Sequence, residues 1–347
     1  MTQRPAARPT IKTICTLTGL STATVSKALH GSPQVRPETR RQVEEAARSL
    51  GYAVNLDGVR LRTGKTYQIA AVMPAPAPGG RDWHGVEYAQ LLAGISQAVE
   101  HSRYRVALHA VRDDAEARET VARIAGGGLA DGVILSGTRP DDVRVRILQD
   151  AGLPFVTYGT TASARAHPFV DTDNAGVIRV SLGRLIAAGH RRIALVNPPA
   201  HLSWAITRSQ TCRAVLAGAG LVFDPALVVD GPLTPGLGRA AVLALAGIAD
   251  PPTAYVCANE AAALGALSGF SEAGLVHGRD AVIHATDDLN ISAYLTPPIT
   301  SFFLPIGRPA AVLGDHILRA IAGEPPETLQ TFLMPELVVR ADDRLSR

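Results

Sequence analysis

Hydrophobic positions change their spacing along this chain, and the change marks its organisation. Between Ile11 and Leu50 apolar residues recur every three or four positions, the period of helices buried along one face. Ile11, Ile14, Cys15 and Leu17 form a first stripe, Val25, Ala28 and Leu29 a second, and Val43, Ala46, Ala47 and Leu50 a third. Gly19 separates the first two stripes; a residue without Cβ takes positive φ at little cost, which suits a tight helix-to-helix turn. Ser21 is placed to cap a helix over 22–30. Pro37 opens a third helix over 37–50, in keeping with the preference of proline for the first turn, and Gly51 ends it. The pattern predicts an all-α helix-turn-helix head over residues 9–52.

From Gln68 the pattern switches to short apolar runs alternating with amphipathic ones. The runs at 69–73, 105–109, 132–136, 155–158, 193–197, 254–258 and 282–285 predict strands. The stretches at 88–99, 115–124, 143–151, 176–188, 211–217 and 240–246 predict helices. Continuous apolar runs between helices mean parallel strands buried on both faces, hence a doubly wound α/β architecture. Residues 67–347 exceed one such sheet, which predicts two similar lobes with a ligand cleft beyond the carboxyl ends of the strands.

Charge sharpens the division. The 347-residue chain has a net charge of +3, but residues 1–66 hold eleven Lys and Arg against four Asp and Glu, leaving the remainder at −4. A basic head on a mildly acidic body points to a polyanionic partner for the head. The outward residues of the second helix are Thr22, Ala23, Ser26 and Lys27, with Ser21, Thr24 and His30 on or beside the same helix. Short side chains let the backbone approach DNA. Lys27 can donate to guanine O6 or N7, and Thr22 and Ala23 can contact a thymine methyl. Thr10, Ser26, Arg36 and Thr39 are placed for phosphates, which set register without reading sequence.

Other classes find little support. Hydrophobic residues make up 46% and charged residues 19%, the balance of a globular chain. No apolar stretch is long enough for a membrane helix, and Met1 to Lys12 lacks the apolar core of a signal peptide, so a cytoplasmic protein is expected. Cys15, Cys212 and Cys257 have neither disulfide nor metal-ligand spacing and are expected to be buried thiols; no metal or cofactor is expected. Gly126-Gly127-Gly128 reads as a helix end rather than a phosphate loop, and neither G-x-S-x-G nor H-E-x-x-H occurs. An enzyme is therefore disfavoured. A transport binding protein, which shares such a body, would not need the basic head.

The head resembles that of the LacI/GalR family of bacterial regulators. The matching residues are Thr10-Ile11, Gly19-Leu20-Ser21, Thr24-Val25-Ser26-Lys27, Leu29, Val35, Thr39-Arg40, Val43 and Leu50-Gly51-Tyr52. The resemblance implies a hinge helix over 53–66 that forms on DNA, with Asn55 at the usual Asn and Leu61 at the leucine that wedges into the minor groove. Val54 stands where Pro is usual and Gly58 where Ala is usual. Gly in a helix costs about 0.5–1 kcal/mol relative to Ala, so this hinge should depend more on its DNA and dimer contacts.

The body continues the resemblance through Val170-Asp171-Thr172-Asp173-Asn174, Gly189-His190-Arg191-Arg192-Ile193, Cys257-Ala258-Asn259-Glu260 (with Glu260 in place of the usual Asp), Asp287-Asp288, Pro298-Ile299-Thr300-Ser301 and Pro335-Glu336-Leu337. It implies a periplasmic-binding-protein-like domain over 67–347. One lobe is expected at about 67–170 and 303–329, the other at about 171–302 and 330–347. It also implies an effector cleft that includes Arg208, Asn259 and Asp287. Thr211, three residues after Arg208, replaces the usual Gly. Ser136 falls at another strand end facing the cleft, and Trp83 and Tyr88, after the first strand, are candidates to stack on a sugar ring. Thr63-Gly64-Lys65-Thr66, Thr138-Arg139-Pro140-Asp141-Asp142, Ala151-Gly152-Leu153-Pro154-Phe155 and His167-Pro168 resemble the branch of proteobacterial regulators of α-glucoside uptake, which implies a sugar effector. The expected partners are a pseudo-palindromic DNA operator, a small molecule and a second copy of the chain. Repression is the leading expectation, with activation or a non-sugar effector left open.

Overall fold

The computed structural model describes residues 9–29, 32–52, 64–75 and 86–345. The chain divides into two compact units, residues 1–66 and 67–347.

The head contains three helices, α1 (Ile11–Thr18), α2 (Thr22–Leu29) and α3 (Pro37–Ser49). Thr10 caps α1 in a reciprocal box with Thr13, and Gly19 takes φ 70° to turn the chain toward α2. Ser21 Oγ accepts from Thr24 N at 3.2 Å, the cap expected of it. Pro37 is the first residue of α3. Ile14, Val25, Ala28, Val35, Val43, Ala46 and Ala47 make the core. Leu17 departs from expectation: although three residues after Ile14, it is 59% exposed. Cys15 is only half-buried, whereas Cys212 and Cys257 are buried.

The body holds two six-stranded sheets. The first runs β11 (Gln330–Leu333), β5 (Phe169–Thr172), β4 (Phe155–Tyr158), β3 (Gly132–Leu135), β1 (Gln68–Pro74), β2 (Arg105–Val111), with every pairing parallel. The second runs β12 (Glu336–Val338), β10 (Thr300–Phe303), β9 (Val282–Asp287), β8 (Ala254–Cys257), β6 (Ile193–Asn197), β7 (Val228–Asp230), parallel except at β12. Helices α4 (Val86–Ala98), α5 (Asp114–Gly127), α6 (Val143–Ala151) and α11 (Gly307–Ile321) accompany the first sheet. Helices α7 (Asn174–Ala187), α8 (Ser203–Gly218), α9 (Pro235–Ala246) and α10 (Glu260–Glu272) accompany the second. β1, β3, β6 and β8 are apolar and buried at nearly every position, as strands covered on both faces must be.

Two assignments shift. Gln330–Leu333 was expected in the second lobe, yet it pairs with β5 and closes the first sheet; only the segment from about 334 returns to the second. α8 begins at Ser203, eight residues before the expected 211, because buried Ser203 and Arg208 interrupt its apolar stripe. The sequence also left α10 unnamed. Its buried residues, among them Ala261, Ala262, Ala263, Gly265, Gly269 and Phe270, spread round the helix, so no stripe forms.

Candidate functional site

On the head, α2 turns Thr22, Ala23 and Lys27 outward, while Val25 and Ala28 face the core. Ser26 and Thr24 are half-buried at the margins of that face. Lys27 Nζ donates to Gln34 Oε1 at 3.0 Å, an exposed contact that a stronger acceptor can displace. Arg36 is exposed at the N-terminus of α3 and Thr39 is half-buried one turn on. The face therefore offers short side chains around one cation. His30, Asn55, Leu61 and Trp83 lie outside the described residues.

In the body a cavity of about 800 Å³ opens where the carboxyl ends of both sheets meet. The first sheet contributes Ser136 to Arg139 after β3, Tyr158 and Gly159 at the end of β4, and Asp171 on β5. The second contributes Pro198 and Pro199 after β6, Ala258 to Glu260 after β8, and Asp287 and Asp288 at the end of β9. This is the position at which parallel sheets bind ligands, because side chains there are held by rigid strands while the backbone turns away. The two lobes also touch directly: Ser203 N donates to Thr138 O at 3.0 Å.

Four of the expected residues line this cavity. Ser136 is buried and its Oγ donates to Tyr88 Oη at 3.4 Å, joining β3 to α4. Burial pushes the Tyr88 phenol above its ordinary pKa, so it stays protonated. Asn259 caps α10, its Oδ1 accepting from Ala262 N at 2.9 Å and its Nδ2 donating to Leu233 O at 3.2 Å. Asp287 has no exposed surface, and its two carboxylate oxygens accept from Ile291 N at 3.1 Å and Ser292 N at 2.9 Å. A carboxylate has roughly four lone-pair sites, so Asp287 keeps acceptor capacity for a ligand.

Arg208 differs. It is fully buried and does not line the cavity. Its Nε donates to Asn197 Oδ1 at 3.0 Å, and both Nη atoms lack partners. Burial lowers its pKa to about 10. Asn197 anchors this corner through Nδ2, which donates to Asp230 Oδ1 at 3.0 Å and Ala205 O at 3.2 Å.

Three features of the site escaped the sequence reading. Arg144, on the first turn of α6, grips Asp142 through two contacts (3.0 and 2.7 Å) and donates to the carbonyls of Ser136 and Gly137, so it pins the loop after β3. Trp204, on the first turn of α8, lines the cavity from the second lobe. Glu260 and Asp288 also line it, and both carboxyls are held well above the usual carboxylate range by burial and by nearby negative charge. The Glu260 signal was visible as a departure from the family motif; Arg144 and Trp204 lay in ordinary helix patterns with nothing to mark them.

One constellation needs a chemical judgement. Ser181 Oγ, His284 and Asp343 are linked at 2.9 Å each, a Ser-His-Asp chain. All three are buried, Ser181 without any exposed surface, and the chain ties the C-terminal segment to α7. A nucleophile must reach a substrate carbonyl, and this one faces only protein.

The comparisons with known proteins agree with this geometry. The model of bacterial regulatory proteins, lacI family, matches residues 10–55, and that of the periplasmic binding protein-like domain matches residues 182–341. The transcriptional regulator AglR of Rhizobium meliloti (strain 1021) is 38% identical over 95% of this chain and 93% of its own length. The chain belongs to the LacI family. It is a DNA-binding transcriptional regulator and not an enzyme. A solved structure of the regulator CelR in complex with cellobiose is 29% identical, covers 96% of this chain and 100% of its own, and superposes with a TM-score of 0.71. The lac repressor dimer bound to operator and an anti-inducer superposes at 0.82, over 97% of this chain and 99% of its own. At 20% identity it supports the fold alone. Among the described residues no helix is long and apolar enough to cross a membrane.

Proposed function

We propose that this LacI-family regulator is a repressor whose operator affinity is set by a neutral sugar bound between the two lobes of its body. The observation that carries the reading is the cavity of about 800 Å³ at the meeting of two sets of strand ends, within the usual range for small-molecule sites. Its wall combines acceptors that suit sugar hydroxyls (Asp287, Asn259) with hydroxyl groups (Ser136, Tyr88) and an aromatic ring (Trp204). Both Nη groups of Arg208, outside the cavity lining, lack a protein partner, which suits a residue that awaits a ligand oxygen. The CelR complex with cellobiose favours a disaccharide, and the α-glucoside branch resemblance narrows the first candidates to trehalose, sucrose and maltose.

A homodimer presents two heads to a pseudo-palindromic operator, with Lys27 reading the major groove and Leu61 entering the minor groove. A sugar that binds the two lobes in one relative orientation better than in another shifts the population of that orientation, and with it the spacing of the heads. Such coupling is typically about 1–3 kcal/mol, roughly 5- to 150-fold in affinity.

The test is a thermal-shift and fluorescence screen of trehalose, sucrose, maltose and cellobiose. At least one is expected to raise the melting temperature and change the emission of Trp204, and the emission change is expected to vanish in Trp204→Phe. If none of the four stabilises the protein, the sugar reading fails while membership of the family stands.

A further inference from the structure

Glu260 occupies the first position of α10, directly after its cap Asn259, and Asp288 follows the last residue of β9. Both face the cavity. Glu260 is 5% exposed, and its Oε2 and the Oδ1 of Asp288 are buried without a donor from the protein. A carboxylate at a helix N-terminus ordinarily gains from the partial positive charge there. Here burial outweighs that gain, aided by the negative field of Asp287 beside the pair and of Glu87 on α4 across the cavity, so both carboxyls bind protons more tightly than free ones do.

The arginines of the wall do not offset this field. Arg144 is paired with Asp142, Arg139 with Asp114 and Arg112 with Glu116. Arg118, the remaining arginine, is exposed at the rim. Among the described residues no cluster of three or more His, Cys, Asp or Glu is arranged to hold a metal ion, so the pair is not built as a metal site. Glu260 and Asp288 meet through a side-chain hydrogen bond and share a proton, so the pair gains negative charge as that proton leaves; its two orphaned oxygens then call for donors, which sugar hydroxyls supply without charge. A phosphate dianion supplies none and adds like charge in a poorly screened site.

We propose that Glu260 and Asp288 form a charge filter in the effector cleft, accepting hydroxyl donors from a neutral sugar and turning away the phosphorylated form of that sugar. The inference rests on the reading of the cleft as a sugar site and adds which sugars it admits.

Isothermal titration calorimetry of the full chain at pH 8.5, where the pair carries negative charge, tests it with trehalose, sucrose, maltose and cellobiose, each beside its 6-phosphate or 6′-phosphate. Wild type is expected to prefer the neutral member of the bound pair by at least tenfold. Glu260→Gln and Asp288→Asn, which keep side-chain size and supply an amide donor, are each expected to weaken the neutral sugar and to narrow the preference to less than threefold. Two variants are used because either one alone could misfold, which far-UV circular dichroism would reveal; the wild-type preference decides the point in any case. Equal or tighter binding of the phosphate ester by wild type overturns the filter and leaves the sugar reading intact. So does an undiminished preference in a folded variant. Silence from every sugar, neutral and phosphorylated, overturns the sugar reading and the filter together.

Discussion

Arg208 has the largest fully buried side chain among the described residues, and only one of its three guanidinium nitrogens has a partner. Leaving charged donors unpaired in the interior costs about 1–3 kcal/mol or more, whereas replacing them with apolar atoms of similar shape removes that cost. Arg208→Met is therefore expected to raise the melting temperature of the ligand-free protein, by the equivalent of about 1–3 kcal/mol, and to abolish stabilisation by sugar. Thermal melts with and without sugar check both halves. Lower ligand-free stability with an intact sugar response would make Arg208 a purely structural residue. Lys27 is the opposite case, exposed and held by a single contact to Gln34. Lys27→Ala should leave stability within about 0.5 kcal/mol and cost about 1–3 kcal/mol of discrimination against an altered operator base. Competition binding with operator variants measures this, and an unchanged sequence preference would remove Lys27 from base reading.

At the scale of elements, α9 and α10 lie so close that glycine is required at their crossing. A Cβ on Gly265 would sit 1.8 Å from the carbonyl oxygen of Pro235, and one on Gly238 equally near that of Ala262. Backbone atoms cannot yield as a side-chain tip can, so Gly265→Ala must push the helices apart, at an overpacking cost of about 1–3 kcal/mol or more. Because α10 carries Asn259 and Glu260 at its first turn, the same change should weaken sugar binding. Calorimetry of unfolding and of binding should show both losses; a loss of stability with unchanged sugar affinity would show that the helix start is held by other contacts. The head was legible at this scale because its helices bury one face each. So were strands such as β4 and β6, whose apolar runs match their observed limits. The edge strands β7 and β11 were not, since much of each faces solvent and the alternation spans only three or four residues, whereas β12 was expected only from the family resemblance.

Over the whole molecule, the two sheets exchange chain three times, so the cleft is walled by segments far apart in sequence. Its acid pair should leave a mark on stability. Folding raises the proton affinity of Glu260 and Asp288 above that of the unfolded chain, so their contribution is fully present below about pH 4 and is lost as pH rises through the higher folded values. Buried His167 and His190 and half-buried His277, whose pKa values burial lowers, act in the opposite sense near pH 6, so the slope of wild type alone is not diagnostic. The difference between wild type and Glu260→Gln is. The variant should gain relative stability steadily from pH 5 to pH 8.5, measured by melting temperature at fixed ionic strength. A difference that stays flat across that range would mean that the pair ionises as free carboxyls do.

Sequence alone determined the division into a basic helical head and a parallel α/β body, because both follow from local periodicity and charge density, which the chain carries without folding. It also indicated strand-end positions such as Ser136, Asn259 and Asp287, since a ligand in parallel sheets meets the residues after each strand. Only the tertiary structure decided what those positions became. It buried Arg208 fully, out of the cavity lining, and gave Gln330–Leu333 to the first sheet. It fixed the loop after β3 with Arg144, and it set Glu260 against Asp288 with one oxygen of each left without a protein donor. Burial, pairing and proton affinity arise from neighbours brought together by folding, and no window of sequence contains them.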